Sequence, residues 1–383
     1  MPFGSRDDDD WSGAPRRRRG GSALIWLIVL LVVLAGGWAA GWYYATATAE
    51  SMIDTWRARE ARVGRVQNCG TQTISGFPFR IEVRCSEPAV ELRAPQPQRL
   101  AMKAKDAVAV VQVLQPTQMQ AEFTAPLLVT EPGSPATITV NWSKATASAH
   151  GIPFGIDRVT LAADAPTVER KTASNADTLV KASRIEGQAA VVAGASGRPI
   201  DFALRLTAAS APTLHKLTKE PTDAEINAVL RGLRDFAPKP LRTLLRQIQA
   251  AGGNLEITKA RLQQGDIIAV GSGTLSLSAR GALDGQLQVT IVGVEKLLAI
   301  LDIERVAQQS PSMGRLSTAL DRLAPGLGSL ARENAGVGAA VGISLLGQPA
   351  ELEGKKAVTL PLRFSDGAAF LGPVKIGDTP PLY

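Results

Sequence analysis

"CGTQTISGFPFRIEVRC", Cys69 to Cys85, folds back on itself when written around Phe77: Cys69 then faces Cys85, Thr71 faces Val83 and Thr73 faces Ile81. Gly76-Phe77-Pro78 forms the tip, because Gly is free to take positive φ while Pro fixes φ and donates no hydrogen bond. Opposed residues of an antiparallel pair have Cα atoms about 4.5 to 5.5 Å apart, within reach of a disulfide. The stretch therefore reads as a hairpin stapled by Cys69 and Cys85. A metal or redox role for the pair would need a short Cys spacing or a nearby His, and the stretch has neither.

A near-copy follows in "HGIPFGIDRVTLAADAP", His150 to Pro166, which lacks cysteines but keeps Gly151, Pro153 and the Phe after it. Both copies run on to an alternating stretch closed by Ala-Pro: "AVELRAP" at Ala89 to Pro95 and "VTLAADAP" at Val159 to Pro166. Gly76, Pro78, Gly151 and Pro153 are thus expected to be turn residues of a repeated unit, in which a strand enters a sheet after a tight turn. Around these units, residues 69–215 alternate apolar and polar, as in "AVAVVQVLQP", "ATITVNW" and "PIDFALRLTA", with breaks at Pro, Gly, Asn and Asp. Such a pattern, rich in Val, Thr and Ile, predicts a β-rich domain of antiparallel sheet.

Residues 216–253 read as a helical insertion. Thr222-x-x-Glu225 has capping-box spacing, and Ile226, Val229, Leu230 and Leu233 fall on one helical stripe. Pro238 and Pro240 break the run before a second stripe of Leu241, Leu244, Leu245 and Ile248, closed by Gly252-Gly253. Alternation returns in residues 254–383, a β-rich C-terminal part with turns at Asp284-Gly285 and Asp366-Gly367 and with helical patterns near 295–333.

"ALIWLIVLLVVLAGGWAAGWYY", Ala23 to Tyr44, is 22 residues without a charge. As a helix it rises about 33 Å, enough to cross the hydrocarbon of a bilayer. Arg16 to Arg19 directly precede it, and basic residues at a membrane edge stay cytoplasmic. Residues 1–22 then form a disordered cytoplasmic tail, 23–44 a transmembrane anchor and 45–68 a helical stalk, with the remainder in the periplasm. Trp38, Trp42, Tyr43 and Tyr44 mark the far interface. A cleaved signal peptide is the alternative, since "ATATA" at Ala45 to Ala49 supplies A-x-A sites. Gly37-x-x-x-Gly41 has the spacing through which a second membrane helix approaches, so a homodimer through the anchor is a further expectation. An oxidising compartment suits a disulfide between Cys69 and Cys85.

The 383 residues carry a net charge of +7, of which the tail holds +1 through five Arg against four Asp. The surplus in the body is dispersed, with no basic block and no aromatic ladder, which argues against a nucleic-acid partner. A mild positive field fits an anionic membrane surface better. Aromatic residues are only 5% of the chain, so the core must be built from Val, Leu, Ile and Ala.

Reactive constellations are missing. His150 and His215 each lack a partner at ligand spacing, and the sequence has neither Gly-x-Ser-x-Gly nor a P-loop. "GVGAAVG" at Gly336 to Gly342 places its last Gly one residue too far for a dinucleotide fingerprint. No cofactor, metal site or catalytic residue is expected.

The single N-terminal span, "ISGFPFRIEVRC", "GIPFGIDRV", "GALDGQLQVTIVGVEKLL" and the terminal "LPLRFSDGAAFLGPVKIGDTPPLY" together resemble DUF2125, an alphaproteobacterial domain-of-unknown-function family. That family has no established activity, so the resemblance implies no catalytic residues. A looser likeness connects Gly-x-Pro-Phe hairpins and Gly-x-Leu-x-Leu strands to AsmA-like envelope proteins, which are membrane-anchored, β-rich and implicated in outer-membrane lipid homeostasis. The expectation is an α+β, mainly β protein. In it an N-terminal transmembrane helix precedes an extended antiparallel-sheet periplasmic domain partly covered by helices. Its expected role is non-catalytic binding of a lipid or another apolar ligand in envelope maintenance. The alternatives are a scaffold that docks envelope proteins and a periplasmic hydrolase.

Overall fold

The computed structural model describes residues 20–93, 100–131, 133–152, 154–172, 175–193, 197–214, 218–233, 241–294, 296, 347–372 and 374–383. Helix α1 (Gly20–Arg62) carries the apolar span and continues beyond it as one piece. The chain then enters β1 (Arg65–Asn68), β2 (Thr71–Ser75), β3 (Arg80–Ser86) and β4 (Ala89–Leu92), followed by the long pair β5 (Leu100–Gln112) and β6 (Gln115–Thr130). Next come β7 (Thr137–Asn141), β8 (Lys144–His150), β9 (Arg158–Asp164), β10 (Thr167–Lys171), β11 (Ala176–Lys181) and β12 (Arg184–Val191). β13 (Ile200–Ala209), β14 (Thr222–Leu230), α2 (Leu241–Ala250), β15 (Asn254–Gln264), β16 (Ile267–Leu277) and β17 (Leu283–Val292) continue the order. It ends in β18 (Gln348–Leu352), β19 (Lys355–Ser365), β20 (Ala368–Leu371) and β21 (Val374–Asp378).

All these strands belong to one antiparallel sheet. From one edge, hydrogen-bonded neighbours run β2, β3, β5, β6, β8, β9 and β12. The sheet goes on through β13, β14, β15, β16, β17, β19, β20 and β21. Toward one end the strands break and resume: β1 pairs with β4, β4 with β5, β6 with β7, and β7 with β10. A sheet of this breadth accumulates right-handed twist, and breaks in register sharpen it.

The breaks lie side by side and share a cause. Glu87, Ala165 and Ala208 have φ of 52°, 47° and 48°, a left-handed conformation that interrupts the pleat. Their backbone groups stay paired across the fault, with Glu87 N donating to Lys105 O at 3.0 Å and Ala165 N to Ser183 O at 2.8 Å. The Cys69–Cys85 disulfide, with Cα atoms 5.7 Å apart, crosses the same line at its edge.

The repeat is architectural, and it extends further than its Gly-x-Pro-Phe signature. β3 and β9 are each seven residues long and each leads from a Gly-x-Pro-Phe tip to a left-handed residue followed by Pro, Glu87-Pro88 and Ala165-Pro166. The counterpart of Ala165-Pro166 in the first copy is thus Glu87-Pro88; Ala94 and Pro95, which the sequence pairs with it, lie outside the described residues. Gly197-Arg198-Pro199 also precedes a left-handed residue, Ala208, but has neither a Phe after its Pro nor a Pro after the left-handed residue.

Several sequence expectations need correction. The stalk expected over 45–68 stays helical only to Arg62, and Arg65–Asn68 is β1. Thr222–Leu230 is strand β14, not the first helix of an insertion. Ala224, Ile226 and Ala228 alternate with Asp223, Glu225 and Asn227, and two strand neighbours satisfy that period of two where an isolated helix would satisfy the other. Thr222 caps nothing; its Oγ1 accepts from Gln264 Nε2 at 2.8 Å. The second stripe is helical: α2 buries Ile248 and ends where Gly253 N donates to Ile248 O at 2.8 Å. Of the helices expected to cover the sheet, α2 is the one found among the described residues. The patterns near 295–333 apart from Lys296, the "GVGAAVG" stretch, Pro153 and His215 lie outside those residues.

Candidate functional site

The first hairpin tip is longer than a fold about Phe77 allows. Ser75 pairs with Glu82 and Gln72 with Cys85, so Cys69 stands before β2 rather than opposite Cys85. The shift follows from a turn in which Arg80 N donates to Gly76 O at 3.1 Å; Gly155 N donates to Gly151 O at 2.9 Å in the second copy. Both glycines are required. At φ of 106° and 94°, a Cβ on Gly76 would come within 2.7 Å of Arg80 O, and one on Gly151 within 2.1 Å of Gly155 O.

The first tip is docked on α1. Trp38 Nε1 donates to Pro78 O at 2.8 Å, and Trp42 Nε1 donates to Arg80 O at 3.0 Å. The Trp42 ring meets Phe77 edge-on at 5.4 Å, and Trp38 lies 6.3 Å from Phe79. Farther along, Arg57 donates to Gln72 Oε1 at 2.6 Å, and Arg65 forks the Glu60 carboxylate where helix passes to sheet. The Arg65 hydrogen bond holds the Glu60 carboxyl below its ordinary range, against an opposing push from burial.

The sheet has one apolar face from edge to edge. Val83 of β3 lies opposite Ala109, Ala109 opposite Ala121, Ala121 opposite Ala147, and Ala147 opposite Leu161. Leu161 faces Gly187, which faces Leu204, and the row continues through Ile226, Ala260 and Gly271. It ends at Val289 and Leu360. Parallel rows flank it, one through Phe123 and Ile185, the other through Val159 and Phe202. At strand spacing the central row extends roughly 50 Å, and three rows span about 13 Å.

Directly paired residues share a face, so the polar groups fall on the other side. There Gln120 pairs with Ser148, Ser148 with Thr160, and Thr160 with Gln188. Ser148 and Thr160 hydroxyls are hydrogen-bonded at 2.7 Å.

On the apolar face the small residues Ala121, Ala147, Gly187 and Gly271 form a floor between larger walls. A trough of about 290 Å³ opens between Leu204, Ile226, Leu262 and Val289. Leu161 is 56% exposed, Leu262 43% and Phe123 38%. Contiguous apolar surface beyond a few hundred Å² marks an interaction site in soluble domains. Sequence alternation showed that each strand had an apolar side. It did not show that these sides align without interruption, which depends on register.

The other residues singled out in the sequence do not converge. His150 Nδ1 lies 2.8 Å from Asp157 Oδ1 at the second tip, and both are exposed. Among the described residues no cluster of His, Cys, Asp and Glu has the makings of a metal site.

Fold and surface together define a class: a helix long and apolar enough to cross a membrane, followed by a broad antiparallel sheet with one greasy face. Residues 42–380 match the model of the DUF2125 family, described as an uncharacterized protein conserved in bacteria, and the chain belongs to that family. The match opens at Trp42, the residue on which the first hairpin docks. No curated protein matches the chain.

Proposed function

We propose that this is a single-span inner-membrane protein, N-terminus in the cytoplasm and sheet in the periplasm, that binds lipid or another apolar ligand along the sheet's apolar face without catalysing a reaction. The observation that carries the reading is the uninterrupted row from Val83 to Leu360, with Leu161 and its neighbours half-exposed. An acyl chain, which fills half of a hydrocarbon core about 30 Å thick, fits within such a row. Arg16 to Arg19 before the span support the orientation, and the Cys69–Cys85 disulfide suits an oxidising compartment. Such binding would serve envelope maintenance.

A photoreactive amino acid placed at Leu161 in living cells, with Thr160 on the opposite face as control, tests the ligand. The expected result is a lipid-mass adduct at 161 and none at 160. Crosslinking at 161 to residues 297–346 of the same chain would show a filled core and overturn the reading. Capture of another protein there would favour the scaffold alternative. A carboxyl-terminal reporter facing the cytosol would overturn the topology.

A further inference from the structure

We propose that the Gly-x-Pro-Phe tips and the β5–β6 turn between them form a second membrane contact, a rim that inserts into the outer interface of the bilayer crossed by α1. The inference rests on the anchor reading of α1 and is independent of any ligand on the apolar face.

Three turns stand side by side at one end of the sheet and are tied by their backbones. Val113 N donates to Phe79 O at 2.9 Å, joining the β5–β6 turn to the first tip, and Gly151 N donates to Thr117 O at 2.9 Å, joining the second. At their crests Phe79 is 66% exposed, Leu114 77% and Phe154 91%. Folding gains nothing from large apolar side chains presented to water in this way. They are also segregated. Among the described loop residues with exposed large apolar side chains, Phe77, Phe79, Leu114, Phe154, Ile156 and Leu382 lie at this end; Val63 and Leu214 lie at the other.

The occupant follows from what already holds the first tip. Phe77 and Phe79 pack on Trp42 and Trp38, the aromatic residues that close the apolar span, where indole rings settle at headgroup depth. The edge strands run alongside α1. Trp42 to Arg57 rises about 22 Å as helix, Gln72 to Phe77 covers about 17 Å as strand and turn, and Trp42 meets Phe77 at one end of that interval while Arg57 meets Gln72 at the other. The tips therefore point back along α1 toward the span. Arg80 and Arg158, the first residues of β3 and β9, carry exposed guanidinium groups just behind the phenylalanines, at the level of lipid phosphates. Arg80 shares its charge with Glu82 at 3.3 Å.

The test uses the full chain reconstituted in phosphatidylethanolamine and phosphatidylglycerol vesicles. Single nitroxide labels are placed through Leu114→Cys, Phe154→Cys, Leu214→Cys and Leu31→Cys, without reductant so that the native disulfide stays closed. These side chains are all exposed, so labelling leaves the fold intact. Accessibility to a polar nickel chelate should be at least about threefold lower at 114 and 154 than at 214, since a polar reagent is costly to transfer into an apolar phase. Position 31 should be lipid-exposed. If 31 is in lipid while 114 or 154 is as open to the chelate as 214, the rim proposal is overturned and the anchor stands. Should 31 also be aqueous, the anchor reading has failed and the rim fails with it.

Discussion

Trp42 and Arg80 are hydrogen-bonded, indole N–H to backbone carbonyl, at 3.0 Å, and this bond ties the end of the apolar span of α1 to the first turn of a sheet 38 residues later. A backbone carbonyl as acceptor makes the contact insensitive to the side chain at 80, so the donor is the partner to change. Trp42→Phe keeps an aromatic ring against Phe77 and deletes the N–H; Trp42→Ala deletes both. One net hydrogen bond and one edge-on ring pair are each worth about 1 kcal/mol. Amide exchange at residues 76–80 should then quicken roughly fivefold in the first variant and more than tenfold in the second. Exchange at Ser210, at the opposite end, should not change.

Gly151 and Gly133 both have positive φ, 94° and 93°, but a Cβ at 133 meets open space while one at 151 meets Gly155 O at 2.1 Å. Ala at 133 should cost about 1 kcal/mol, the conformational term alone. Ala at 151 must also displace a carbonyl and should cost at least about 2 kcal/mol more, among the larger effects of single substitutions. Thermal melts of both variants in detergent measure the difference. Equal losses would show that the turn moves freely.

What the sequence made legible and what it concealed differ in physical kind. The apolar span, the Gly-x-Pro-Phe turns and the alternation of strands depend on neighbours within a few residues, and all could be read. The segment Thr222–Leu230 satisfied two periods at once, and only β13 and β15 on either side decide for the strand. The three-residue shift in the first hairpin arose because the turn closes from Gly76 to Arg80, which a symmetric fold about Phe77 does not anticipate. The apolar face was the least legible feature. Residues such as Ala121, Gly187 and Gly271 look unremarkable singly and acquire meaning once register places them in one row.

Cys69 and Cys85, 16 residues apart, close a loop for which the chain-entropy estimate is about 3 kcal/mol. Replacing both with Ala should lower stability by roughly 2–4 kcal/mol, and reductant should produce a similar loss in the wild type alone. Because the bridge crosses the break between β1 and β2, loss of protection should concentrate at Gly70 and Glu87, whose amides bond across that line. Hydrogen exchange under reducing and non-reducing conditions measures it.

The Glu60–Arg65 pair makes the helix-to-sheet junction sensitive to acid. Glu60 has its carboxyl depressed in the folded protein, first by the Arg65 hydrogen bond. A depressed carboxyl contributes stability above its unfolded value of about 4.3, and the contribution fades as pH falls through the lower folded value. Glu60→Gln should therefore be less stable than wild type at pH 7, with the gap shrinking only below about pH 4. A gap that is constant with pH would mean that the carboxylate charge is irrelevant to the junction.

A substitution at Gly187 would separate stability from the proposed ligand binding. This glycine sits mid-strand between Leu161 and Leu204, and a Cβ there would meet only Leu204 Cδ1, at 3.9 Å. A Cβ is therefore accommodated, and replacing Gly within a strand should raise stability by about 0.5–1 kcal/mol. The methyl groups of a Val there would stand on the floor of the apolar row, where an acyl chain bound as proposed would need the space. Gly187→Val should thus raise the melting temperature while reducing lipid adducts at position 161. If adducts persist undiminished in the stabilised variant, the central row is not where the ligand lies.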